Sequence, residues 1–205
     1  MQSFAEFLQK TAEAGRSVNT LFEERLFAMV GTLEKLAGPL ADDGIAYEVI
    51  GGMAVMIQVN RVDAAAVRNT KDIDIMVQRE DLEKIKAVGA RNGFTFRHVR
   101  GVDMLLPPGE KQARNGVHLV FAGEKTSSQQ ALPNPLLRSE RLPVHGVEVA
   151  VIPTADLLQM KLGVNRDIDR VHVRDLDSVG LITPQIEMSL PSVLRARLED
   201  IRSKE

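Results

Sequence analysis

Apolar residues recur at helical intervals near the start of the chain, at Leu21, Phe22, Met29, Val30, Leu33, Leu36 and Leu40. This spacing predicts helix over residues 3–40. Ser3 with Glu6 and Thr20 with Glu23 fit the capping-box spacing, and Gly15 is expected to separate two helices. A turn follows at Asp42, Asp43 and Gly44. Tyr47–Ile50 then reads as a strand, Gly51 and Gly52 as its end, and Met53 to about Val59 as an apolar helix. The polar, small-residue stretch Asn60–Lys71 reads as a loop. Asp72–Val77 alternates strictly and predicts a strand. A helix over Arg79–Asn92 stops at Gly93. Strands are expected at Thr95–Val99, Val102–Leu106, Gly116–Phe121 and Val147–Ile152, with a surface loop over Glu124–Arg141. Beyond Pro153 the pattern turns helical again. Thr154 is the expected N-cap of a helix to about Val164, and a second helix covers Ile168–Val179. Thr183-Pro184 and Pro191 mark further helix starts.

The order of helices, mixed strands and helices, then helices predicts an α+β fold. The expected segments are an N-terminal helical part (1–44), an α/β core (45–152) and a C-terminal helical part (153–205). Composition narrows the classes. The chain of 205 residues carries a formal charge of −2 and is 44% apolar, ordinary for a globular protein. Nothing global marks a nucleic-acid or membrane binder. There is no cysteine, which excludes disulfides and Cys-ligated zinc. No basic segment followed by an apolar run starts the chain, and Val102–Leu106 is far too short to span a bilayer, so the expected compartment is the cytoplasm.

The chemistry concentrates between Tyr47 and Val77. On a strand, Asp72 and Asp74 share one face while Ile73, Ile75 and Val77 take the other. Two adjacent carboxylates call for a cation, and Mg²⁺ is commonly held by one or two carboxylates plus substrate phosphates. Gly51 and Gly52 let backbone N–H groups at a helix start approach anionic oxygens.

The ordered combination of strand, Gly-Gly, helix, loop and Asp-x-Asp resembles the nucleotidyltransferase superfamily related to DNA polymerase β. It is closest to minimal bacterial members, including toxins of abortive-infection toxin–antitoxin systems. Gly51, Gly52, Ala54, Arg68, Thr70, Lys71, Asp72, Ile73 and Asp74 carry the likeness. A second signature is Asp156-Leu157 with Met160-Lys161-Leu162, then Arg166, Asp169, His172 and Asp175-Leu176. The resemblance implies a mixed sheet flanked by helices, two Mg²⁺ ions held by Asp72 and Asp74 (or Mn²⁺ in their place), and transfer of a nucleoside monophosphate from an NTP to an acceptor hydroxyl. Gly51, Gly52, Arg68, Thr70, Lys71 and Lys161 would bind the nucleotide. The acceptor stays open among small molecule, RNA and protein, and the toxin reading implies an antitoxin partner.

Family members usually carry a third carboxylate on a following strand. Here that strand reads Val117-His118-Leu119-Val120-Phe121. Asp103 and Glu124 are the expected substitutes, because Mg²⁺ prefers oxygen donors to imidazole. Arg166, Asp169 and Asp175 suit an ion-pair network between C-terminal helices. His118 and His172 read as semi-buried structural histidines, and Arg97, His98 and Arg100 as a solvated strand face. The missing acid supports an alternative, a nucleotide- or partner-binding module without transfer.

Overall fold

The computed structural model describes residues 27–68, 70–144 and 146–204. The expected helix before residue 27, its two capping boxes and the break at Gly15 lie outside the described residues. Helix α1 spans 27–42 and buries Leu33, Leu36 and Leu40. Seven strands follow: β1 (Tyr47–Ile50), β2 (Ile73–Val77), β3 (Thr95–Val99), β4 (Val102–Leu106), β5 (Val117–Phe121), β6 (Glu140–Val144) and β7 (Val147–Val151). They form one sheet in the order β3-β4-β5-β2-β1-β7-β6. The pairs β2–β5 and β1–β7 are parallel and the rest antiparallel. This is the mixed α+β architecture that the element order predicted.

Helices cover both faces. On one lies α3 (Leu82–Arg91), where Gly89 lets the helix approach the Leu105 side chain of β4. The amphipathic spacing of Leu82, Ile85 and Val88 seats it there. Three helices gather on the other: α2 (Gly51–Asn60), α4 (Thr154–Val164) and α5 (Asp167–Ser178). Helix α2 touches β1, β2, α4 and α5. It has no polar face because it is enclosed, and Met53 to Val59 are all buried. Its buried amide side chain, Gln58, donates to the Ile152 carbonyl at 3.0 Å, while its Oε1 has no hydrogen-bond partner among the described residues. Two further helices follow, α6 (Pro184–Ser189) and α7 (Ser192–Arg202). The Thr183 side chain accepts from the Ile186 N–H and caps α6. A contiguous apolar cluster runs from Met29 to Ile201.

Two expectations are corrected. The end of the predicted 124–141 loop enters strand β6, which pairs with β7. Pro143 hid it from the pattern; a proline is tolerated there because β6 is a sheet edge. Thr154 is the first helical residue of α4 and not its cap. The cap is Pro153, and the Thr154 hydroxyl is buried without a partner.

Candidate active site

The turn from β1 into α2 sets the site. Gly51 has φ +69°, and a Cβ there would overlap Oδ2 of Asp74 on the neighbouring strand. Register makes this contact: Ile50 pairs with Asp74 across β1 and β2. The N-cap residue, Ile50, offers no side-chain hydrogen bond to the first turn of α2. A Cβ on Gly52 would meet Thr70 Oγ1 at 2.6 Å and His172 Cε1 at 3.6 Å. The structure therefore brings together Gly51, Gly52, Thr70 and Asp74. Asp72 is exposed and precedes the first residue of β2.

On the far side of β2, Asp74 pairs with His118 of β5. The imidazole Nδ1 donates to Asp74 Oδ1 at 2.9 Å, the only role open to it opposite an ionised carboxylate. That hydrogen bond raises the His118 pKa; burial opposes it and the Asp72 charge adds to it.

Helices α4 and α5 supply cations. Lys161 is buried, not snorkelling, and contacts Asp169 Oδ1 at 3.2 Å. Burial lowers its pKa, while Asp169 and then Asp74 pull the other way. Arg166 donates from Nε to Asp169 Oδ2 at 2.7 Å, and its backbone N–H donates to the same oxygen at 3.2 Å at the start of α5. Burial would raise the Asp169 carboxyl, but Arg166 and Lys161 together hold it below the usual range. Arg68 reaches across to Asp175 at 2.6 Å and ties the segment before β2 onto α5. His172 is pushed down to about 4 by burial, with Lys161 adding to the effect. The expected network between the C-terminal helices is thus two clusters, Lys161–Asp169–Arg166 and Arg68–Asp175.

Beside Asp72 a cleft of about 950 Å³ opens between α1 and the loops flanking β4 and β5. Met29, Thr32, Lys71, Pro107, Pro108 and Arg114 line it with Asp72. Lys71 therefore faces the cleft, and Arg68 does not.

Asp103 and Glu124 are not at this site. Across β4 and β5, Met104 pairs with His118 and Asp103 with Leu119. Asp103 therefore points to the face opposite Asp74. There it bonds His98 Nδ1 at 2.6 Å and lies 3.5 Å from Arg79. Arg79 stacks 3.3 Å above the Phe121 ring centre and takes both oxygens of Glu124, at 2.9 and 2.6 Å. Arg79 also lowers the Glu124 pKa through that hydrogen bond. Both acids serve an ion-pair cluster at the β2–α3 junction, which corrects their assignment as catalytic. Asp103→Asn is expected to cost about 1–2 kcal/mol in urea unfolding. Glu124→Gln should cost under about 1 kcal/mol, because that pair is exposed. Neither should change nucleotide affinity in a binding titration by more than about twofold.

Glu48 escaped the sequence reading. It lies on the Asp74 face of β1, wholly buried, with Oε2 unpartnered and Oε1 accepting the Arg138 N–H. Burial first, and then Asp156 of α4, push its pKa up to about 7. No local signal separates Glu48 from an outward strand residue.

The chain belongs to the family described as uncharacterised nucleotidyltransferase, which matches residues 7–162. An antigenic nucleotidyltransferase-like protein from Paracoccidioides brasiliensis shares the fold at 16% identity, with 89% of each chain covered and a TM-score of 0.56. The antibiotic-resistance factor ANT(2'')-Ia, solved with adenylyl-2''-tobramycin, is 13% identical over 86% of this chain and 98% of that one, with a TM-score of 0.49. The lincosamide antibiotic adenylyltransferase LnuA, lincomycin-bound, is 16% identical over 77% and 97%, with a TM-score of 0.46. No curated protein sequence matches the chain significantly. Among the described residues no helix is long and apolar enough to cross a membrane.

Proposed function

We propose that the chain moves a nucleoside monophosphate from an NTP to an acceptor oxygen. The acceptor oxygen bonds to the α-phosphorus, the bond from that phosphorus to the β-phosphate oxygen breaks, and pyrophosphate leaves with the bonding electrons. The hydroxyl proton passes to solvent. The observation that carries this reading is the packing of Asp74 Oδ2 on Gly51, which puts a carboxylate at the start of α2.

The donor set fits a Mg²⁺ or Mn²⁺ ion in part. Asp72 and Asp74 offer hard oxygens, while among the described residues no three histidines or acids stand ready around a cation. Asp72 and Asp74 would hold the ion with the substrate phosphates, and when bound it supplies charge neutralisation on the triphosphate. The chain's own groups do the rest. The Gly51 and Gly52 amides bind phosphate oxygens at the helix start. Lys161 offsets charge on the phosphates from within a buried site, where its field is little screened. Thr70 and Arg68 fix the segment that leads into Asp72. The cleft beside Asp72 presents the acceptor, a small molecule, RNA end or protein side chain, and the cytoplasm supplies the NTP.

The test is incubation with each α-labelled NTP, Mg²⁺ or Mn²⁺, and pools of RNA, protein and small molecules. Label should enter one pool and fall to background in Asp74→Asn. Label in no pool, with nucleotide still bound, would support the second reading, a binding module. That reading is favoured by the position of Asp103 and Glu124 on the other face.

A further inference from the structure

We infer that the site takes a single divalent cation with its nucleotide, and that His118 is the residue that closes the second metal position. The inference rests on the nucleotidyl-transfer reading and goes beyond it.

The strand beside β2 is where another acidic ligand could approach Asp74. Residues of β5 that share the Asp74 face are His118 and Val120, and the next strand adds Met104. None is an acid. On the other side β1 offers Ile50 and Glu48. Glu48 lies two residues further along the strand, opposite Met76, wholly buried with one oxygen on the Arg138 N–H. Asp103 and Glu124 are held on the opposite face by Arg79.

The two oxygens of Asp74 are placed differently. A carboxylate that bridges two cations presents an oxygen to each. Here Oδ1 is occupied by the His118 N–H, and Oδ2 lies over Gly51 at the start of α2. An ion bound with phosphates at the glycine turn meets Oδ2 alone.

Where an acid would stand on β5, His118 offers an imidazole, which supplies no negative charge in either protonation state. Imidazole is also a poor donor for Mg²⁺.

The experiment counts ions. Wild type, His118→Asp and His118→Asn are each saturated with the four α,β-methylene NTP analogues in turn. Mn²⁺ is titrated in and the free ion is read by electron paramagnetic resonance, with melting curves confirming that each variant is folded. Wild type and His118→Asn are expected to bind one Mn²⁺ per nucleotide-loaded chain, and His118→Asp two. Two ions in wild type overturn the inference and leave nucleotidyl transfer standing. One ion in folded His118→Asp overturns the role given to His118. No nucleotide-dependent Mn²⁺ in wild type overturns the reading beneath both. If His118→Asp does not fold, the wild-type count decides alone.

Discussion

Gly51→Ala is expected to lower nucleotidyl transfer about 100-fold while leaving the protein folded. The size follows from what a displacement of about 1 Å in a reacting group costs. Two effects act together. Gly51 sits at φ +69°, where a side chain costs about 1–2 kcal/mol. The added Cβ also falls on Oδ2 of Asp74. That carboxylate cannot swing aside freely, because Oδ1 is held by His118 at 2.9 Å. The variant must either expel Asp74 or break the dyad. Gly52→Ala is milder: its Cβ meets Thr70 Oγ1 at 2.6 Å, the end of a short side chain that can rotate. Steady-state rates with melting curves separate the two variants. Equal rates for Gly51→Ala and wild type would mean that Asp74 is not used where it lies.

Glu48→Gln should stabilise the protein at alkaline pH, an unusual outcome for a buried substitution. The Glu48 pKa rises from 4.5 to about 7 on folding. Below 4.5 the carboxyl is neutral in both states and costs nothing. Between 4.5 and 7 the unfolded chain releases the proton and the folded chain keeps it, so stability falls as pH rises. Above 7 the folded state carries the full penalty, on the order of 3 kcal/mol. Glutamine keeps an oxygen for the Arg138 N–H and cannot ionise. Its amide group also faces Asp156, whose own carboxyl is pushed up by burial. Urea unfolding from pH 5 to 8.5 should show a falling stability for wild type and a flatter line for Glu48→Gln, with the variant ahead by about 2–3 kcal/mol at the top. Parallel lines would mean that Glu48 is solvated or paired in solution.

The glycine turn, Asp74 and the strands around them were legible because each rests on local pattern. Alternation in β2 and the Gly-Gly at the end of β1 need no knowledge of neighbours. The third-acid assignment failed because it depends on register between strands. A one-residue offset, Asp103 against Leu119 and not against His118, sends the carboxylate to the other face. Glu124 looked able to reach inward, yet the Arg79 side chain, stacked on Phe121, claims it first. Lys161 reads as an interrupted apolar run, and only the packing of α4 on α2 and α5 decides that it is buried. Glu48 was invisible for the same reason. In the sequence it alternates like a solvent-facing residue, but its strand is near the centre of the sheet and both faces are covered.

The central claim is that the bond broken lies at the α-phosphorus. Parallel reactions with α-labelled and γ-labelled NTP, run with Mn²⁺ and the acceptor pool that takes label, test it directly. The account predicts α label in the acceptor, γ label only in pyrophosphate, and neither in Asp74→Asn. Label from the γ position in the acceptor, or acceptor labelling that survives in Asp74→Asn, would contradict it.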